Sequence, residues 1–352
     1  MKYNRTRFRG LIASLLAGAA IAVPTLMAMP AHAATELTFW SWRPEDKAFY
    51  ETQAANFQAA TGISVKFTPY VATDYNAILA TALTAGKGPD IMQIRAYGGM
   101  ANLSDGGNFL ALTTKDVPAL AKIPKGTLAG TQGYTDKRQY GLPYATSVLG
   151  VMYNPDLLKK AGVKALPTTW TSFLATLDKV KAAGILPLGN GSGYAPGNYE
   201  ISYFRSLNPS LNVGWMPAPA RSAGDILYVT NWADGGFAIN AKTTNKAAAI
   251  KFMNFLASKD FMQSAADNLG WIPTIPGIKV TDPAVIAMQR AIPSTGTPFL
   301  TLVGFRYGTP TSSSIMQPGF QKVATGAQTP AELAKAIQTG VASWYKPLAG
   351  KS

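Results

Sequence analysis

The chain contains no cysteine and a single histidine, His32. Without cysteine there are no disulfides, so an exported protein of this size must hold its fold by burial and hydrogen bonding alone. The same absence removes thiolate nucleophiles and the residue on which bacterial lipoproteins carry their lipid, so no lipid anchor is expected. His32 lies in a segment with the form of a secretory signal peptide. Lys2, Arg5, Arg7 and Arg9 make its basic start, Leu11 to Ile21 its apolar stretch, and Ala31-His32-Ala33 sets small residues at the cleavage positions. Removing residues 1–33 removes the only imidazole. Histidine bases, Ser-His-Asp triads and Cys/His zinc sites are then excluded by inventory, which leaves paired carboxylates or a Ser-Lys arrangement for hydrolysis. A membrane anchor is the competing reading, but the apolar stretch is short, broken by Pro24 and Pro30, and lacks basic stop-transfer residues. The expected location is the periplasm, and no catalytic residue, metal or cofactor is expected.

Acidic residues are also scarce: 18 against 32 basic ones, a formal charge of +14 at pH 7. The signal segment accounts for four of the positive charges. The remaining lysines are scattered singly, apart from the pair Lys159 and Lys160, and no basic run is interleaved with aromatics. Nucleic acid is therefore not an expected partner.

What is present is an alternation of strand and helix patterns, the signature of an α/β sheet with helical crossovers. Leu37 to Trp40 reads as a strand, Lys47 to Ala60 as a helix with Tyr50, Ala54 and Phe57 on one face, and Ile63, Val65 and Phe67 as a second strand. Tyr75, Ile78, Leu79, Ala82 and Leu83 follow the helical repeat up to the stop at Gly86-Lys87-Gly88-Pro89, and Asp90 to Ile94 is a short buried strand. Val148 to Tyr153 reads as one strand, ended by Asn154-Pro155 as helix cap and first turn. Further apolar stripes, all expected to be core, are Trp170, Phe173, Leu174, Leu177 and Val180, then Ala249, Phe252, Met253 and Leu256. The last is Leu333, Ile337, Val341 and Trp344, behind the capping box Thr329 to Glu332.

Several segments, in this order and spacing, resemble the extracellular solute-binding proteins of family 1, which deliver sugars to ABC importers. They include Leu37-Thr38-Phe39-Trp40-Ser41-Trp42, Ala60-Thr61-Gly62-Ile63, Gly88-Pro89-Asp90-Ile91 and Tyr140-Gly141-Leu142-Pro143-Tyr144. Tyr153-Asn154-Pro155-Asp156-Leu157-Leu158, Gly235-Gly236-Phe237-Ala238-Ile239 and Gly270-Trp271-Ile272-Pro273-Thr274 continue the series. The resemblance implies a periplasmic-binding-protein-like fold, with two α/β lobes joined by a multi-crossing hinge and closing on a sugar. It implies a first lobe of residues 34–143 plus 238–298 and a second of 144–237 plus 299–352. Several family helices that would follow the Trp170 helix are missing, so the second lobe is expected to be shortened, with the junction between Gly191 and Gly197. The implied partners are a mono- to oligosaccharide and a membrane permease, and the chain is expected to be a monomer.

A sugar offers apolar C–H faces and a rim of hydroxyls, so its cleft needs flat aromatic platforms beside fixed polar groups. Trp42 and Arg43 follow the first strand, where α/β sheets open toward a cleft. Trp42 has packing on the next helix as its alternative, and Asp90 is expected to fix its own turn. Tyr97 follows the third strand; Arg95 beside it stands where relatives often carry an acid. Tyr144 and Ser147 lie at the first implied hinge crossing, and Tyr199 is the leading stacking candidate. Trp232, Trp271 and Arg306 complete the expected ligand-binding set, with core burial as the alternative for each. Two other functions stay open: a glycoside hydrolase using paired carboxylates, and a receptor for a non-sugar anion.

Overall fold

The computed structural model describes residues 35–189, 197–298 and 305–345. The expected signal peptide and the expected junction between Gly191 and Gly197 fall outside the described residues.

The first lobe is built on a five-stranded sheet. Strand β1 (Glu36–Ser41) lies parallel to both β2 (Ser64–Pro69) and β3 (Ile91–Arg95). Strand β4 (Gly141–Pro143) and a later strand, Gly235–Ile239, complete it, giving the order β2, β1, β3, Gly235–Ile239, β4, with the last two added antiparallel. Helix α1 (Lys47–Thr61) crosses from β1 to β2, burying Tyr50, Ala54 and Phe57 at helical spacing. Gly62, at φ +73, ends it in the left-handed conformation that glycine adopts without steric cost, and its N–H reaches Gln58 O at 2.8 Å. Helix α2 (Tyr75–Thr84) buries Tyr75, Leu79 and Leu83, and α3 (Gly98–Asp105) follows β3. At the centre of this core the ring of Phe39 meets Tyr50 and Phe67 at 5.2 Å, Phe237 at 5.8 Å and Phe252 at 5.9 Å.

Asp90 is structural. Its carboxylate accepts from the N–H and hydroxyl of Thr38, both at 2.8 Å, and from Thr243 and Asn245, just past the Gly235–Ile239 strand. Burial opposes the charge on Asp90, but these donors outweigh it and hold its carboxyl below the usual range.

The second lobe has its own sheet and core. After a short helix α4 (Lys125–Leu128) and β4, the chain enters β5 (Ala145–Val148). It then forms β6 (Val151–Tyr153), α5 (Pro155–Lys160), α6 (Trp170–Ala182), α7 (Glu200–Leu207), β7 (Gly214–Met216) and β8 (Val229–Ala233). Strand β9 is the Gly235–Ile239 strand of the first sheet, and α8 (Lys246–Leu256) and α9 (Lys259–Leu269) cover that sheet. Strand β10 (Ile272–Pro273), β5, β8 and β11 (Gly296–Pro298) form the second sheet in that order. Val148, Ile201, Trp215, Val229, Val285 and Met288 belong to its core.

Three expectations are corrected. The strand expected over 148–153 is two strands: Val148 pairs with Asn231 in the second sheet, while Val151–Tyr153 pairs with β7 in a separate ribbon. The break falls at Gly150, where a Cβ would collide with the Trp215 indole. Helix α10 (Pro283–Thr295) and β11, expected with the first lobe, pack on the second core through Val285 and Met288 and by pairing with β8. On α6 the apolar stripe is only partly covered: Phe173 and Val180 are buried, but Trp170 and Leu174 are 55% and 45% exposed.

Helices α11 (Ser312–Ala324) and α12 (Pro330–Ala342) form a closing hairpin in which Gly319 and Gly340 admit the side chains of Leu333 and Ile315. The capping box at Thr329 and Glu332 forms as expected, as does the Asn154 cap of α5.

Candidate functional site

Among the described residues, three crossings carry the chain between the lobes: at Tyr144 between β4 and β5, at Asp234 between β8 and β9, and at Gly270-Trp271 before β10. They are tied to one another. The Tyr144 hydroxyl donates to Asp234 Oδ2 at 3.0 Å, and its ring stacks on Trp271 with centroids 4.5 Å apart. The Asp234 N–H reaches Ala145 O at 2.9 Å, and the Thr274 hydroxyl reaches Pro143 O at 2.6 Å. Burial pushes the Tyr144 hydroxyl well above the ordinary tyrosine range, so it remains a neutral donor.

In front of these crossings lies a cavity of about 360 Å³ with walls from both lobes. Trp42, Arg43, Arg95 and Tyr97 come from the ends of β1 and β3; Leu149, Tyr199, Glu200 and Trp232 come from the second lobe. Glu45, Asp234 and Arg306 complete the charged lining. The volume lies in the range of small-molecule sites, about 300–1,000 Å³.

Local chemistry fixes these side chains. Beyond β1, Ser41 Oγ accepts the Arg43 N–H at 3.0 Å, and Pro44-Glu45-Asp46 forms a 3-10 turn leading into α1. The Arg43 guanidinium pairs with Asp46, meets Glu45 Oε1 at 3.3 Å, and donates to Tyr199 O at 3.4 Å across the cleft. Burial alone would lower its pKa; Asp46 and Glu45 together raise it above the ordinary arginine value, so it stays charged. Trp42 rests against Tyr75 at 5.7 Å and carries the Arg95 guanidinium 4.7 Å from its ring centroid.

Tyr97 has φ +55 and ψ −130, a conformation that costs a non-glycine residue about 1–3 kcal/mol. Its N–H is held by Gly130 O at 2.7 Å, and its hydroxyl accepts the Ala233 N–H at 3.2 Å. This tyrosine therefore bridges the lobes and forms a small apolar cluster with Ala96, Trp232 and Ala233, against which Leu149, Tyr199 and Tyr307 pack. Tyr199 is positioned by its neighbour Asn198, whose side chain accepts from Val148 N–H at 3.0 Å and donates to Gly270 O at 3.3 Å. Glu200 opens α7 facing the cavity; burial raises its carboxyl above the usual range, and Arg43 partly opposes that.

Of the nine expected residues, Trp42, Arg43, Tyr97, Tyr199, Trp232 and Arg306 line this one cavity. Tyr144 and Trp271 are instead packed behind it, in the crossings. Ser147 is buried on β5 opposite Trp232, and its hydroxyl finds no partner among the described residues. Glu45, Leu149 and Glu200 were missed. Glu45 stands in a single 3-10 turn and Leu149 between β5 and β6, both too short to carry a repeating pattern; adjacency to Tyr199 was the one available signal for Glu200.

Residues 40–207 match the family described as bacterial extracellular solute-binding protein. Over these residues the chain is similar to that family. The chain is 32% identical over 192 residues to a lactose-binding protein of Rhizobium radiobacter, covering 52% of this chain and 43% of that one. Over 170 residues it is 28% identical to the alpha-glucosides-binding periplasmic protein AglE of Rhizobium meliloti, covering 45% and 36%. The chain thus spans less than half the length of either relative. Among solved structures, the GacH receptor of Streptomyces glaucescens superimposes with a TM-score of 0.72 at 17% identity, covering 90% of this chain and 99% of that one. A chitin oligosaccharide binding protein gives 0.70 at 18%, covering 87% and 98%. At such identities the likeness shows the fold: two α/β lobes of the periplasmic-binding-protein type.

Proposed function

We propose that this protein captures a carbohydrate between its lobes and hands it to the membrane permease of an ABC importer, with no chemistry of its own. The observation that carries the reading is the joint lining of one cavity by Trp42, Tyr97, Tyr199 and Trp232 with anchored arginines and carboxylates from both lobes. Aromatic faces suit the C–H faces of a sugar ring, and the charged groups suit its hydroxyls. The names of the relatives, a lactose-binding and an alpha-glucosides-binding protein, support the same class. The protein works in the periplasm as a monomer after removal of residues 1–33, without a lipid anchor; no described helix is long and apolar enough to cross a membrane. We further read the second lobe as shortened, which accords with the exposure of Trp170 and Leu174 on α6 and of Leu186 and Leu188 beyond it.

The test is a thermal-shift screen against mono-, di- and oligosaccharides. A ligand at 100 times its Kd stabilises by about 2.7 kcal/mol. A sugar-specific rise that Tyr199→Ala or Trp232→Ala removes is expected; no shift from any saccharide in a cooperatively melting protein would sink the receptor reading. A hydrolase reading draws on Glu200, a carboxyl raised by burial beside Glu45 and Asp234 in one cavity. Turnover of chromogenic glycosides would replace the receptor by that enzyme.

A further inference from the structure

The cleft does not end at the aromatic cavity. Arg95 and Arg306 line that cavity and also a second chamber, set between α2 and α3 on one side and the start of α11 on the other. The second chamber holds about 690 Å³ against about 360 Å³ for the first. Each lies within the range of small-molecule sites, about 300–1,000 Å³, so a ligand confined to the first would leave the larger chamber unused. A glycine pair makes room where the chambers meet. A Cβ on Gly98 would collide with the Arg306 backbone, and one on Gly99 would come within 2.7 Å of the Arg95 side chain.

The two chambers offer different chemistry. Trp42, Tyr97, Tyr199 and Trp232 give the first its flat faces, whereas Tyr307 is the one aromatic residue among those lining the second. Amides take the place of rings there: Asn76 on α2, Asn102 on α3 and Gln317 on α11 line the chamber from three helices, beside the hydroxyls of Thr73 and Ser314. These three side-chain amides have no hydrogen-bond partner among the described residues. Elsewhere the amides of Gln53, Asn198 and Asn240 are each committed, to Ser264 Oγ, Gly270 O and Pro89 O. A side-chain amide presents one acceptor and two N–H donors, and a sugar hydroxyl can pair with either kind. The first chamber is therefore built to stack on a ring, and the second to hydrogen-bond a run of hydroxyls.

We propose that the second chamber is a hydrogen-bonding subsite and that the cleft selects a neutral oligosaccharide of at least three units, its first ring on the aromatic platforms and the following units among Asn76, Asn102 and Gln317. One ring in the smaller chamber leaves volume for two in the larger. This rests on the receptor reading above and names its substrate class. Calorimetric titration of the full-length protein tests it, with maltose, maltotriose and maltotetraose, the cello-oligosaccharides of the same lengths, and melibiose, raffinose and stachyose. Within a series that binds, the trisaccharide should bind about tenfold more tightly than the disaccharide, as one or two added hydrogen bonds would give. Asn102→Leu and Gln317→Leu lie on opposite walls, at exposed helix positions where leucine is a good helix former, so both variants should still melt cooperatively. Each should lower the ratio of trisaccharide to disaccharide affinity about two- to tenfold. A disaccharide that binds as tightly as its longer relatives overturns the inference and leaves the receptor reading standing. A ratio that neither leucine variant changes overturns it too, since the added units would then lie outside the second chamber. Absence of binding by every saccharide overturns both.

Discussion

Helices α1, α2, α8 and α9 of the first lobe turn their apolar stripes into one continuous core around Phe39 and Phe237, whereas α6 of the second lobe buries Phe173 and Val180 and leaves Trp170 and Leu174 in solvent. The helical repeat is equally clear in both lobes, and so is the capping: Thr169 and Ser172 close a capping box at the start of α6. Periodicity determines which residues share a face of a helix; it does not supply the element that covers the face. The first lobe has covering elements on its sheet, and the second keeps a smaller core between α10, β5, β7 and β8.

The sharpest way to break this contrast is to empty each core. Phe39→Ala, which removes a ring in contact with four others, should cost about 3–5 kcal/mol in a urea titration. Met288→Ala, fully buried on α10, should cost about 2–4 kcal/mol. A much smaller loss at Met288 would mean that the second core collapses around the cavity more readily than the first. Asp90→Ala removes a carboxylate with four donors and should cost about 2 kcal/mol. Because the folded pKa of Asp90 is depressed, its contribution is fully present above the unfolded carboxylate value, about 3.9, and is lost as pH falls through the lower folded value. The stability difference between wild type and Asp90→Ala should therefore shrink in acid, and a difference constant with pH would contradict the latch. Smallest of all, Trp170→Ser should change stability by no more than about 0.5 kcal/mol, as befits an exposed residue. A loss of several times that would show that α6 is covered after all.

Much of this architecture was legible in advance because its signals are local. The stripe Tyr50, Ala54 and Phe57, the stop at Gly86, and the caps at Asn154 and Thr329 each depend on side chains a few residues apart, and each appears where expected. The cavity was only partly legible. Trp42, Tyr97 and Tyr199 follow strands or precede a helix, where loops face a cleft, so their type and place both pointed inward. Tyr144 and Trp271 carry the same residue types at similar loop positions, yet they stack on each other in the hinge crossings. Nothing in their sequence neighbourhood distinguishes a ring offered to a ligand from one offered to another ring.

The sequence by itself determined the opening strand and helix order of the first lobe, the ends of its helices and the turn at Asp90, since backbone preference, side-chain period and capping act over one or two turns of chain. Tertiary structure alone decided that Tyr97 reaches Ala233 across 136 positions, that Arg43 reaches Tyr199 across 156, and that Arg95 and Arg306 line the same cavity. Those contacts depend on where the three crossings set one lobe against the other, a geometry fixed by the joint packing and hydrogen bonding of Tyr144, Asp234 and Trp271 rather than by any residue's own neighbours.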